Sequence, residues 1–440
     1  INTAAAAGAG AVGWTDLLIA TSENTTQRQV NDGLESIAKL IAIKNPRNGQ
    51  RVYVKSCHTP NYALVNPFKG GGVFVYDSAK ANVNDGGVCV NGWVRQLDGF
   101  VTPNMFGAKG DGTTDDLIAF NKCTAFVKSS KCKKIIIEDG NYKFSDTWVL
   151  DGLDGVSISG SSNQRMLPGD SRLEPSLWTS CILNFDAVPK DKSGMLVTNF
   201  VGVKIKDLFI KYDRKTVGQT ARITSAAFNM HTGHDFTLSN IKTMTDGETS
   251  GIKLGNNSGA ESVFVGSINN CYSWNLGGWA DGFAVYGGNT SLTFTACYAA
   301  HCRFYIEGLT YSSFISCASD SSKDYGYEIA SNIYYNTTNL TFLSCGSESC
   351  GLSAFSLREF VQNCSFLNCY EANNNTDNAD KFGAFMTIQP KWGDSRFWVK
   401  NIIVTNPSSY STNGNYSIYA LSNVDNIKLE NTSKKVMKKP

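Results

Sequence analysis

The sequence predicts an all-β protein built mainly as a parallel β-helix solenoid, with an N-terminal helix and a small β module ahead of it. Three observations carry this. Beyond residue 200 a strand-rich motif returns every 20 to 28 residues, which is the period of a stacked solenoid. Inside each repeat the apolar period is two, so helical repeats are excluded. Before residue 100 the texture is different, a helical stripe followed by short alternating runs separated by Pro and Gly.

Composition narrows the class further. The 440 residues are 42% hydrophobic and only 18% charged, with a net charge of +2 and no long acidic or basic block. Such a chain is folded, and it is not one that coats nucleic acid. No run reaches the ~18 apolar residues of a membrane span, and the opening INTAAAAGAGAVGWTDLL has no Lys or Arg before its small apolar run, so neither a span nor a secretion signal is expected. Cysteine is odd in number, 13, with no C-x-x-C pair. Neither a disulfide frame nor a zinc site is favoured, and no metal or cofactor is expected; the thiols read as small buried apolar groups of a protein folded in a reducing cytosol.

In chain order, residues 1–47 form an N-terminal helical segment, with Val30, Leu34, Ile37, Leu40 and Ile41 at helical spacing within residues 24–43. Residues 48–100 read as a small all-β module made of RVYVKS, GGVFVYD and GVCVNGWVRQL, broken by Pro60, Pro67 and Gly70 to Gly72. Residues 101–133 supply a cap: in GDGTTDDLIAFNKCTAFVKSS, Thr113 or Thr114 is placed to N-cap a helix whose stripe is Leu117, Phe120, Thr124 and Val127. The β-helix occupies 134–425, opening with KIIIEDGNYKF and VSISGSS, and a basic tail follows at 426–440.

The repeat is clearest at Cys271, Cys297, Cys317, Cys345 and Cys369, each preceded by a β run and followed, after a turn, by a second strand. Stacking equivalent residues ~4.8 Å apart makes these cysteines an inward ladder. In the second strands Phe283 and Val285, Phe304 and Ile306, and Tyr327 and Ile329 align as inward pairs, which leaves Tyr305, Glu307 and Glu328 facing outward.

FGAKGDGTTDD from Phe106, the cap helix, IIIEDGNYKF and VSISG together resemble the opening of the pectate-lyase-like β-helix superfamily, in particular bacteriophage tailspikes. TPNYALVNPFKGGGVFVYD and DGGVCVNGWVRQ resemble the small neck domain found before that opening. The resemblance covers roughly residues 51 to 160 and implies a right-handed β-helix, a homotrimer, and attachment to a phage tail or baseplate through the N-terminal region. It also implies a place on the virion, synthesis in the host cytoplasm, and action at the host surface by binding and often cleaving capsule or O-antigen. The same scaffold carries lyases, hydrolases, esterases and inert adhesins, so activity has to be argued from the site.

Glycoside cleavage needs two carboxyl groups, so outward acids on neighbouring coils are the candidates. Glu307 and Glu328 lie on adjacent coils offset by two residues, ~8 Å apart along the backbone, the spacing of an inverting pair, with Tyr305 beside them to stack on a sugar. Asp320 and Glu348, each three residues after its repeat cysteine, stack directly about 5 Å apart, where two carboxylates compete for one proton. Asp246, Glu248 and Asp281 occupy Gly-rich turns where acids also serve the backbone. Trp274, Trp279 and Trp392 are expected on exposed loops as sugar platforms or subunit contacts. Gly169–Asp170–Ser171 lacks the Asp-x-x-His that would complete an esterase site. His231 and His234, three apart on an expected loop, are weak metal ligands. A lyase would draw its base from Lys253, His231 or Tyr305. A non-catalytic adhesin and a polysaccharide lyase remain the competing readings.

Overall fold

The computed structural model describes residues 32–62, 66–161, 181–213, 225–256, 261–277, 279–332, 334–377, 383–389, 398–410, 417–420, 424–431 and 436–438. The chain divides into two compact units, Ile1–Glu138 and Asp139–Pro440. Among the described residues no helix is long and apolar enough to cross a membrane.

In the first unit, Arg51–Ser56, Gly70–Tyr76, Trp93–Arg95 and Cys89–Val90 lie side by side in that order as an antiparallel sheet. The helix ahead of it is shorter than the apolar stripe predicts, Ile37–Ile41. Gly33 adopts φ +78°, and Leu34 makes a parallel bridge to Val54, so the chain is extended where one continuous helix is expected. Leu34 and Leu40 pack with Val54, Phe74 and Trp93. The helix therefore belongs to the core of the β module rather than to a separate segment ending at residue 47. Buried Arg95 knits the sheet to its loops, donating to the carbonyls of Gly87 and Gly70 at 3.0 Å each.

The second helix spans Leu117–Ser129 with Ala119, Phe120, Cys123 and Val127 buried. Its N-cap position is Asp116, not Thr113 or Thr114. Asp111 takes the amides of those two threonines at 2.9 and 2.7 Å and holds Asp111–Asp115 extended. The carboxylate of Asp116 accepts from the amides of Lys109 and Gly110, at 2.7 and 3.0 Å.

The second unit is a parallel β-helix in which each coil carries three strands, not the two that the repeat suggests. A representative coil comprises Asn289–Thr295, Tyr298–Ala300 and Arg303–Glu307, and each strand pairs in parallel with its equivalent on the next coil. The strand missing from the sequence reading is the short one after each repeat cysteine. The cysteine itself stands at a corner, because the residue before it (Asn270, Ala296, Ser316, Ser344 or Asn368) has φ of 51 to 53°. The repeat cysteines are buried, and the thiols of Cys297, Cys317, Cys345 and Cys369 donate to carbonyls of the preceding coil, as Cys345 does to Phe314 at 3.3 Å. Stacking continues past residue 425: Val424–Glu430 pairs with Val399–Thr405, and Val436–Lys438 with Ile418–Ala420.

Two aromatic ladders fill the tube. Phe294, Phe314, Phe342 and Phe366 stack at 4.6 to 4.8 Å between ring centroids. Phe283, Phe304, Tyr327 and Phe355 do the same at 4.7 to 4.8 Å. Rings of the two ladders meet edge to face, a geometry that contributes ~0.5 to 1.5 kcal/mol per pair beyond burial alone. The ladders fix which residues of each strand face out.

Candidate active site on the outer faces of the coils

The third strands align as their alternation predicts. Phe304 pairs with Tyr327, Tyr305 with Glu328 and Glu307 with Ala330, so Glu307 and Glu328 are on adjacent coils offset by two residues. Their surroundings differ sharply. Glu328 is only 4% exposed, one oxygen is ion-paired to Arg303 and the other meets Arg358 at 2.6 Å. Arg303 is wholly buried and also bonds Asp281 and Asp324, each at 2.8 Å. Burial disfavours the guanidinium charge, but Asp281, Glu328 and Asp324 outweigh it and raise the Arg303 pKa. Glu307 is half-buried and accepts from the Tyr305 hydroxyl at 2.6 Å and the Asn332 amide at 2.7 Å. Burial, then Glu307, raises the Tyr305 pKa. This face is an ion network with one accessible carboxylate at its edge.

Asp246, Glu248 and Asp281 are each 1% exposed. Asp246 accepts the amides of Glu248 and Thr249, Glu248 pairs with Lys190 at 2.7 Å, and Asp281 is held by Arg303 and the Tyr286 hydroxyl. They stabilise turns and coils and are not presented to solvent. His231 and His234 lie in the strand Ala226–Thr245, not on a loop. His234 stacks on Phe264 at 4.8 Å, and His231 contacts the hydroxyls of Thr198 and Thr232. Among the described residues no three His, Cys, Asp or Glu are grouped to hold a metal ion. Gly169–Ser171 and Trp392 lie outside the described residues.

The second strands present a different surface. One outward row runs Phe209, Lys242, Tyr272, Tyr298, Ala318, Gly346, Tyr370, and beside it runs Lys211, Met244, Trp274, Ala300, Asp320, Glu348, Ala372. Trp274 is not the exposed loop residue expected. It is 8% exposed, within the strand Tyr272–Asn275, and packs with Ile182, Phe209, Met244 and Ala300. Trp279 is 37% exposed, with the Lys323 ammonium 5.6 Å from its ring. Tyr272 and Tyr298 stack at 5.4 Å with rings nearly parallel. The tyrosine row then gives way to Ala318 and Gly346 before resuming at Tyr370. At this interruption the Tyr370 ring lies over Gly346 and the Tyr298 hydroxyl reaches across to Asp320.

Asp320 and Glu348 stand beside this interruption as direct register partners, one coil spacing of ~4.8 Å apart. Asp320 is half-buried and Glu348 exposed. The Tyr298 hydroxyl donates to Asp320 at 3.1 Å from the coil before, and Tyr370, on the coil after, is near enough to Glu348 for that carboxylate to act on its phenol. Ser321 gives Asp320 a second hydrogen bond at 2.7 Å on its other oxygen. Burial, then Asp320, raises the Tyr298 pKa; burial, then Glu348, raises that of Tyr370. Both phenols therefore stay protonated donors.

Sequence reasoning named both carboxylate pairs but missed Arg303, Asp324, Arg358, Tyr298 and Tyr370. The signals were present. Arg303 alternates outward with Phe304 and Ile306, and the residue after each repeat cysteine reads Tyr, Tyr, Ala, Gly, Tyr.

Residues 33–98 match the family model described as the phage tail protein small four-stranded beta-sheet domain. A search of curated proteins finds no match. Among solved structures, the gp42 tailspike of Acinetobacter phage vb_AbaP_AS12 is similar at 16% identity and TM-score 0.56, over 91% of this chain and 75% of that one. The tailspike protein of Acinetobacter phage vB_ApiP_P1 gives 15% and 0.57, over 89% and 70%. The enzymatically active domain of tailspike protein 2 of bacteriophage CBA120 gives 14% and 0.58, over 90% of this chain but only 56% of that one. The chain thus carries, at residues 33–98, the phage-tail small β-sheet domain, and beyond it the parallel β-helix fold of phage tailspikes.

Proposed function

We propose that this protein is a phage tailspike that binds and depolymerises a host surface polysaccharide, capsule or O-antigen, with Asp320 and Glu348 as the carboxyl pair of a glycoside hydrolase. It works as a homotrimer at the phage tail, attached through its N-terminal region. The tail-domain match and the tailspike fold support the placement; one protein of that fold is described as enzymatically active.

The observation that carries the chemistry is an in-register acid pair, one half-buried and one exposed, beside the point where Ala318 and Gly346 interrupt a tyrosine row. One coil of separation suits the ~5 to 5.5 Å of retaining enzymes and leaves no room for the water an inverting enzyme interposes. The Tyr298 face toward Ala318 offers a stacking platform. Glu328 is a poor base by comparison, since both of its oxygens are engaged by guanidinium groups and it is 4% exposed.

Release of reducing ends from purified bacterial surface polysaccharide tests the activity, and fragments carrying the added water distinguish hydrolysis from elimination. Asp320→Asn and Glu348→Gln are expected to lower kcat by at least ~10² with the fold unchanged. Ala318→Tyr is expected to extend the tyrosine row beside the acid pair and abolish cleavage with the fold unchanged. If these three variants cleave at the wild-type rate while Glu307→Gln is inactive, the catalytic carboxylate belongs to the third-strand face instead. Fragments bearing an unsaturated sugar would make the enzyme a lyase, and tight binding without cleavage would make it an adhesin.

A further inference from the structure

Resting on the reading of Asp320 and Glu348 as the catalytic pair, we infer that Lys323, held on Trp279 at the adjoining corner, is a subsite for a negatively charged sugar, so that the polysaccharide cleaved there is an acidic one. The corner between second and third strands is built from segments of unequal length. Residues 276–280 turn it in one coil, 301–302 in the next, and 321–326 in the coil that carries Asp320. The two longer segments meet across the short one: the Lys323 ammonium lies over the Trp279 ring, 5.6 Å from its centroid, on either side of the coil of His301. The ring quadrupole attracts the cation and fixes where it is presented. Both groups are open to a ligand, Trp279 at 37% exposure and Lys323 exposed.

What sets Lys323 apart is that its charge is unspent. Arg303 and Arg358 are neutralised by Asp281, Asp324 and Glu328, and Lys211 on an earlier coil by Asp186. Asp324, next to Lys323 in the chain, is thereby taken, and Asp377 of a later corner lies against Gly351. Among the described residues no carboxylate pairs with the Lys323 ammonium.

Lys323 follows Asp320 by three residues, at most ~11 Å of chain, so a sugar held by its ammonium is a ring or two from the bond over the acids. The acids themselves give the direction. Asp320 and Glu348 repel a carboxylate placed directly on them, while Lys323 attracts one placed at the corner, and an acidic polymer is thus aligned in one register. A neutral polymer gains nothing from the lysine. A second copy of the chain seated on Trp279 would have to bring the missing counter-charge itself, since a buried ammonium without one is costly.

The experiment pairs the charge on the protein with the charge on the substrate. The probes are a uronic-acid-containing capsular polysaccharide that the wild type depolymerises and the same polymer after reduction of its carboxyl groups to alcohols. Reduction is expected to raise the wild-type KM about tenfold, and Lys323→Gln to raise KM by a similar factor on the acidic polymer but by much less on the reduced one. Lys323→Arg, which keeps the charge, is expected to retain the wild-type KM on the acidic polymer. A rise of equal size on both polymers, or on neither, overturns the inference. So does a wild type that cleaves only neutral polysaccharides, a result that leaves the depolymerase reading intact. Unchanged KM in Lys323→Gln with an altered subunit mass by light scattering would make Trp279 and Lys323 a subunit contact instead. Full activity of Asp320→Asn and Glu348→Gln would remove the catalytic-pair reading itself, and this subsite with it, whatever the Lys323 variants do.

Discussion

Asp116 shows how a single carboxylate is set by competition among its neighbours. It occupies the N-cap position of the helix Leu117–Ser129, yet its oxygens serve Lys109 and Gly110, and it is 2% exposed. Burial outweighs these hydrogen bonds and pushes its pKa up to about 6. The native state therefore holds a proton that the unfolded chain has released between about pH 4 and 6, so stability falls as pH rises through that window and levels off above it. Asp111 is held down near 2 by the amides and hydroxyls of Thr113 and Thr114, despite some burial, and acts only below pH 4, in the opposite sense. Urea midpoints of the transition reporting on Ile1–Glu138 are expected to rise from pH 6.5 to pH 4.5 in the wild type, by less than ~1.4 kcal/mol per pH unit, and to stay flat across this window in Asp116→Asn. Equal slopes in both proteins would remove Asp116 as the cause. Three acids, Asp111, Asp115 and Asp116, lie within six residues at this helix start. Which one meets which amide depends on the backbone path, and pattern alone does not contain it.

At the scale of strands and coils, alternation was enough to place the third strands in register, because Phe304, Tyr327 and their partners leave no other choice of inward face. The short second strands were not legible. Three residues between a left-handed corner at Ser316 and another at Ser321 are too few to show a period. With them went the tyrosine row and the true setting of Trp274. Nor could alternation say that an outward face is covered, as it is around Arg303. That residue ties three coils together through Asp281, Asp324 and Glu328. Arg303→Met is expected to leave Asp281 buried without its cation and Glu328 with Arg358 alone, and to destabilise the β-helix by about 3 to 5 kcal/mol. Chemical denaturation followed by circular dichroism reads this directly, with Glu307→Gln at the edge of the network as the near-neutral control. A variant as stable as wild type would mean that the acids release their charge by taking up protons instead of straining the fold.

Over the whole β-helix, the first strands of successive coils each contain one left-handed residue, forming a column of Val265, Ser291, Tyr311, Asn339, Asn363, Asn401 and Asn426 with φ between 48 and 58°. Toward the C-terminus the column is asparagine, the residue that tolerates this conformation, and its amides bond from coil to coil, Asn401 to Asn363 at 2.9 Å and Asn426 to Asn401 at 2.8 Å. Earlier in the column stand Val265, 54% exposed, and Tyr311, 70% exposed, with Phe264 at 39% next to Val265 and the left-handed Asp235 on the coil before. A β-branched residue in the left-handed region carries about 1 to 2 kcal/mol of strain, and exposing it adds nothing to offset that in a lone subunit. Burial against further copies of the chain does offset it, so the homotrimer proposed above is expected to cover this stretch of the column. Val265→Asn separates the possibilities. On a free surface it relieves strain, so the protein becomes more stable while its mass is unchanged. At a trimer contact it removes apolar area, and light scattering is expected to find three times 47.8 kDa for the wild type and a concentration-dependent shift toward single subunits for the variant. A wild type of one subunit mass, or a variant that is both more stable and still trimeric, would place the contact elsewhere. The repeat alone could not have singled out this column, because a left-handed residue inside a strand leaves the alternation around it looking like an ordinary slip by one position.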